Sequence, residues 1–167
     1  MLINGAGGSI GTIGVQLAKH YGAEVTAVDS VGKLDMLRSL GADHVIDYQQ
    51  EDLAATGKTY DVIFDVIGKG SIEHKLKALK PKGRYLLANP TISSVLWGKW
   101  IASRNDKQLI ATLAQRQNAD LIELRELIEA GTIKTTIDRY YPLAETADAH
   151  RYVETGQKKG NVVITVP

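Results

Sequence analysis

At 167 residues, with 44% hydrophobic and 23% charged side chains, the chain has the size and balance of one ordinary domain with a real core. A net charge of +1 without a basic run argues against a nucleic-acid partner held by phosphate neutralisation. Zero cysteines exclude disulfides, thiolate metal sites and a cysteine nucleophile. No apolar stretch approaches the ~20 residues of a membrane span. No charged-then-apolar leader precedes Leu2, so a cytoplasmic location and no membrane partner are expected.

Residues 1–4 predict a short apolar strand, followed by Gly5-Ala6-Gly7-Gly8-Ser9-Ile10-Gly11 and then a helix over 13–21 that Gly22 stops. A strand, a bare turn and a helix N-terminus form an anion cradle. Unpaired amides and the helix dipole attract a diphosphate, and missing side chains let it approach. The pattern G-x-G-x-x-G fails here because Ile10 stands where the third glycine belongs. The frame that fits is G-x-x-G-x-x-G through Gly5, Gly8 and Gly11. Residues 24–28 predict a second strand ending at Asp29, eighteen positions past Gly11. That is near the ~20-residue distance at which an acid meets adenosine ribose in a dinucleotide fold. The other reading of Asp29 is a cap on the next helix, 33–40.

Further along, strands are predicted at 44–48, 60–66, 84–88 and 108–113, with helices at 51–55, 72–79 and 120–130. Pro81 and Gly83 are expected to stop the helix before the fifth strand, and Asn89-Pro90 to form that strand's exit turn. Residues 91–102 read as a helix whose Trp97 and Trp100, one turn apart, pack as an aromatic face on a neighbour. The alternation predicts an α/β fold, a doubly wound parallel sheet of about six strands. Beyond residue 131 the rhythm breaks. Extended 132–141, a helix over 145–154 and a closing strand over 161–166 form a C-terminal extension to the dinucleotide-binding domain of 1–131.

Competing chemistries lack their residues. No tyrosine is followed four positions later by lysine, as a short-chain dehydrogenase needs. Gly11 is followed by Thr12-Ile13 rather than the Lys-Ser/Thr of a P-loop. His20, His44, His74 and His150 lie on separate predicted elements, so no metal site is expected.

Residues 4–19, 37–48, 60–68, 79–84 and 137–166 together resemble the medium-chain dehydrogenase/reductase superfamily. The resemblance is strongest to its zinc-free, quinone oxidoreductase-like branch and weakest over 91–106. It implies an NAD(P)-dependent oxidoreductase that passes hydride between NAD(P)H and a quinone, enone or carbonyl. It also implies a separate N-terminal catalytic domain holding the small-molecule substrate. This chain matches only the cofactor-binding portion and the C-terminal return, so alone it is expected to be inactive. The alternative is a stand-alone dinucleotide-binding or assembly module. In the family Val153, Val162 and Ile164 belong to elements that pack on the catalytic domain, so without it they are expected to dock elsewhere, pair with a second copy as a homodimer, or stay exposed.

By the same resemblance the amides around Gly8, Ser9, Ile10 and Gly11 hold the pyrophosphate, and Ala6 lets the backbone approach. Asp29, with Ser30 beside it, favours NAD, because a carboxylate accepts from ribose hydroxyls and repels a 2′-phosphate. Lys33 and Tyr48 match positions that grip the 2′-phosphate in NADPH-using members, so the expectation is NAD with NADP tolerated. Other readings are a solvated charge for Lys33 and a half-buried edge aromatic for Tyr48. Ile67 is a candidate ribose contact, Asn89 offers an amide to the nicotinamide end, and Asn161 matches a polar position near the cofactor in some relatives. Asp65 reads either as part of this strand end or as a buried carboxylate capping nearby amides.

Overall fold

A computed structural model describes residues 1–52, 57–104, 106–111 and 117–167. Six strands form one parallel sheet: β1 (Leu2–Asn4), β2 (Thr26–Asp29), β3 (His44–Asp47), β4 (Tyr60–Asp65), β5 (Leu79–Leu87) and β6 (Gln108–Ile110). Their order across the sheet is β3-β2-β1-β4-β5-β6. The chain winds outward first one way from β1 and then the other, which leaves a crevice at the carboxyl ends of β1 and β4. Successive side chains of β1 point to opposite faces. Leu2 enters a cluster with Ile63, Leu76 and Tyr85, while Ile3 enters one with Val15, Ala27 and Leu37. The expected doubly wound α/β architecture is the one observed.

The helices are α1 (Ser9–His20), α2 (Leu34–Ser39, entered through a 3-10 turn at Val31–Lys33), α3 (Ile72–Lys77), α4 (Ile92–Arg104) and α5 (Asn118–Glu129). Helix α1 starts four residues earlier than its apolar period suggested. Gly11 sits inside its first turn, where packing against Gly5 and Ala6 outweighs glycine's poor helix propensity. Strand β5 starts at Leu79, not Arg84. Leu79 pairs with Tyr60, and the register then shifts at Lys82, whose φ of 61° makes a bulge rather than a helix stop. The predicted aromatic face of α4 does not pack on a neighbour: Trp97 and Trp100 stack on each other at 5.0 Å and stay 56% and 46% exposed. Residues 53–55 of the predicted helix and 112–113 of the sixth strand lie outside the described residues.

The C-terminal segment makes its own small sheet. Strand β7 (Ile137–Pro142) pairs in parallel with β8 (Asn161–Thr165), joined by α6 (Thr146–Glu154). This arm is tied to the glycine turn. The Gly160 amide donates to the Gly7 carbonyl at 2.8 Å, and Gly8 and Gly160 form a parallel bridge. No helix among the described residues is long and apolar enough to cross a membrane.

Candidate functional site

A cleft of about 1180 Å³ opens at the crevice between β1 and β4. Gly5, Gly8, Ser9 and Ile10 form its floor, Asp29, Ser30, Lys33 and Tyr48 one end, and Ile67 the opposite wall. Nine of the residues singled out from sequence thus meet in one place. Ala6, Gly11 and Asn89 do not line it. Ala6 is fully buried and Gly11 is buried behind the turn, where both set backbone approach. Asn89 is exposed, and its Nδ2 donates to the Val66 carbonyl at 2.8 Å, fastening the end of β4.

The turn is shaped by close contacts. Gly5 has φ +82°, a left-handed conformation, and a Cβ there would stand 2.5 Å from the Ile67 side chain. A Cβ on Gly11 would stand 2.4 Å from the Gly5 carbonyl oxygen. At Gly8 the nearest atom to such a Cβ is 3.7 Å away, so that glycine keeps the floor open instead of avoiding a clash. The Gly5 and Ala6 amides are spent on the Val28 carbonyl. The Ser9 amide faces the Gly160 carbonyl across the Gly8–Gly160 bridge, while those of Ile10 and Gly11, next in the first turn of α1, find no acceptor among the described residues. The donors and the open floor fit a diphosphate.

Asp29 is fully engaged. Its Oδ2 accepts from the Gly7 amide at 2.7 Å, its Oδ1 accepts from the Ser30 amide at 2.9 Å, and Lys33 Nζ lies 3.1 Å from Oδ1. The 3-10 turn that enters α2 has Ser30 as its N-cap, so Asp29 braces the glycine turn rather than capping the helix. Lys33 is buried, with Nζ also donating to the Gly156 carbonyl at 3.0 Å; the solvated-charge reading of this lysine is corrected. Tyr48 stands 55% exposed at the mouth.

At the other end Asp65 is fully buried beneath the cleft. Its Oδ1 accepts from Asn4 Nδ2 at 2.8 Å and the Gly68 amide at 3.0 Å; its Oδ2 accepts from Lys75 Nζ at 2.6 Å and from the Tyr85 hydroxyl. Burial alone would raise its pKa, but the Lys75 ammonium, the Tyr85 hydroxyl and the Gly68 amide outweigh it and hold the carboxyl below its ordinary 3.8. The Tyr85 phenol is pushed far up, by burial first and by the Asp65 charge.

Sequence reasoning missed three features. Gly7 lies outside the chosen glycine frame, yet a Cβ there would meet Lys33 at 2.5 Å and Asp29 at 2.9 Å. Lys75 gave no motif signal. Lys158 reaches the floor from the C-terminal arm, its Nζ 2.8 Å from Ser9 Oγ. Asn161 is turned away into the arm, where Nδ2 donates to the Thr136 carbonyl at 3.1 Å.

Residues 40–164 match the family described as zinc-binding dehydrogenase. The chain belongs to this family, within the medium-chain dehydrogenase/reductases. It is 34% identical over 168 residues to the NADPH-dependent alkenal/one oxidoreductase, chloroplastic, of Arabidopsis thaliana, covering 98% of this chain and 39% of that one. It is 33% identical over 168 residues to the 2-methylene-furan-3-one reductase of Solanum lycopersicum, again over 98% and 39%. Its fold is similar to the quinone oxidoreductase of Coxiella burnetii, with a TM-score of 0.90, 29% identity, and 99% and 52% of the two chains covered. The chain therefore spans about two-fifths of the curated relatives and half of the solved dehydrogenase/reductase.

Zinc, which the family's description names, has no fitting ligand set here: among the described residues no three His, Cys, Asp or Glu side chains stand together. His44 faces Glu24 and His74 faces Asp52 on separate elements.

Proposed function

We propose that this chain is the cofactor-binding portion of an NAD(P)H-dependent reductase acting on quinones, enones or carbonyls. The observation that carries the reading is the run of unpaired α1 amides above the open Gly8 floor, at the sheet's switch point. The nicotinamide cofactor, when bound, supplies the hydride. This chain's residues bind and orient it. The amides of Ile10 and Gly11 take the diphosphate, Asp29 and Ser30 face the adenosine ribose, and Ile67 packs along the nicotinamide side. The Asp65–Lys75 pair holds the end of β4 and the Gly68 turn in place beneath it. Residues 132–167 act as a return arm to the dinucleotide-binding unit of 1–131, and the acceptor site lies in sequence that this chain does not span.

The pairing of Asp29 with Lys33 bears on cofactor choice. A preference for NAD assumed a free carboxylate that repels a 2′-phosphate. A carboxylate whose charge is matched at 3.1 Å repels it far less. Ser30, Lys33 and Tyr48 stand around that corner, and one relative is named NADPH-dependent. We therefore assign NADPH as a cofactor accepted at least as well as NADH.

Calorimetric titration with NADPH and NADH tests the reading. Saturable binding of one coenzyme per chain is expected, with NADPH bound no more weakly than NADH. Absence of binding by both contradicts the assignment.

A further inference from the structure

The lysines that line the cleft differ in how their charges are met. Lys33 is paired with Asp29 and Lys75 with Asp65, while Lys69 is exposed to water. Lys158 is partly buried, yet it forms no ion pair among the described residues. Its Nζ donates only to uncharged oxygens, Ser9 Oγ at 2.8 Å and the Gly160 carbonyl at 2.6 Å. Asp138 and Asp29 act on it from beyond ion-pair distance, and burial followed by the Lys33 charge lowers its pKa. An ammonium drawn from water without a counter-ion is an unmet charge.

The position is built, not incidental. Gly160 lies at φ +72°, and a Cβ there would stand 2.6 Å from the Thr136 carbonyl oxygen. That fold of the arm lets the Gly160 amide reach the Gly7 carbonyl, and Ser9 Oγ donates to the Gly160 carbonyl at 3.0 Å. Lys158 is thereby carried 149 residues back along the sequence to the first residue of α1. The ammonium thus stands beside the start of α1, whose Ile10 and Gly11 amides are unpaired among the described residues.

We propose that Lys158 is a ligand of the dinucleotide's bridging diphosphate, donated by the C-terminal arm across the glycine turn. This rests on the dinucleotide reading of the cleft. Lys33, held by Asp29 and Gly156, stands at the adenosine corner; Lys158, held by Ser9, stands at the helix start. The diphosphate is common to both coenzymes, so Lys158 adds affinity for each and discriminates between neither.

The test is calorimetric titration of the full chain with NADH and with NADPH, for wild type, Lys158→Met, Lys158→Gln and Lys158→Arg. Loss of one charge-assisted bond should weaken both coenzymes by about tenfold in the Met and Gln variants, with Arg restoring most of it. Gln retains neutral hydrogen bonding to Ser9 and Gly160, so it reports on charge even where Met disturbs folding. Unchanged affinity in the Gln variant overturns the proposal. So does a loss confined to NADPH, which would put the ammonium on the 2′-phosphate. A wild-type chain that binds neither coenzyme overturns the dinucleotide reading itself, an outcome distinct from wild-type binding that Lys158 does not influence.

Discussion

Two glycines three positions apart serve opposite purposes, and substitution separates them. At Gly11 an added methyl meets backbone oxygen and the Ala6 Cα within 2.5 Å, atoms that cannot step aside. Gly11→Ala is expected to cost about 1–3 kcal/mol of stability by overpacking, read as a lowered melting temperature. At Gly8 the nearest atom is 3.7 Å away, so Gly8→Asp should melt close to wild type while its carboxylate occupies and repels from the floor. A Gly8→Asp variant that binds coenzyme normally would remove the glycine turn from the site. Asp65 makes a pH prediction. Its carboxyl is held below 3.8 in the folded chain, so the stability it contributes is fully present above the unfolded value and is lost as pH falls through the folded one. Asp65→Asn leaves Lys75 buried without its counter-charge and should cost about 3–5 kcal/mol near neutrality. Its melting temperature should also fall less steeply than wild type's below about pH 4. Equal acid slopes for the two proteins would contradict this. At the residue scale the glycine frame and Asp29 were readable because their spacing is local. The Asp29–Lys33 pair also lies within four residues, yet sequence alone treated the two as rivals for one cofactor, not as partners of each other.

Helix α1 holds the turn at its start and the C-terminal arm along its side. Gln16, buried, points its amide at the arm: Oε1 accepts from the Lys134 amide at 2.8 Å, and Nε2 donates to the Lys134 carbonyl at 3.0 Å. The side chain thus copies one rung of a β-ladder. Gln16→Ala removes both bonds to the part-buried Lys134 backbone, a cost of roughly 1 kcal/mol. Hydrogen exchange should speed up around residues 134–137 while the β1 and β4 amides stay protected; uniform loss of protection would contradict a local clamp. Elements with strong period or buried runs, β2, β4 and α1, were legible from residue pattern. The start of strand β5 was not, because Pro81 and Gly83 look like a helix stop and are in fact tolerated in a bulge beside Lys82. Helix α5 shows the same limit. Its apolar residues fall at helical spacing, yet only Leu127 is buried, and Leu121 stays 65% exposed.

Over the whole molecule, the parts that sequence located are those set by neighbours in the chain. Gly7 and Lys75 escaped it within the sheet half, and what it missed of the arm depends on contacts closed across 118 to 151 residues, between α1 and the arm. No local pattern encodes that Lys158 returns to Ser9, or that Gly160 bridges to Gly8. The arm makes one wall of the cleft and carries a cation to its floor, so coenzyme affinity should depend on both ends of the chain. The most direct measurement is a crystal structure of this chain soaked with excess NADPH. The diphosphate is expected within hydrogen-bond distance of the Ile10 and Gly11 amides, over Gly8. Nucleotide bound anywhere else, or a saturated crystal with this floor bare, would contradict the account.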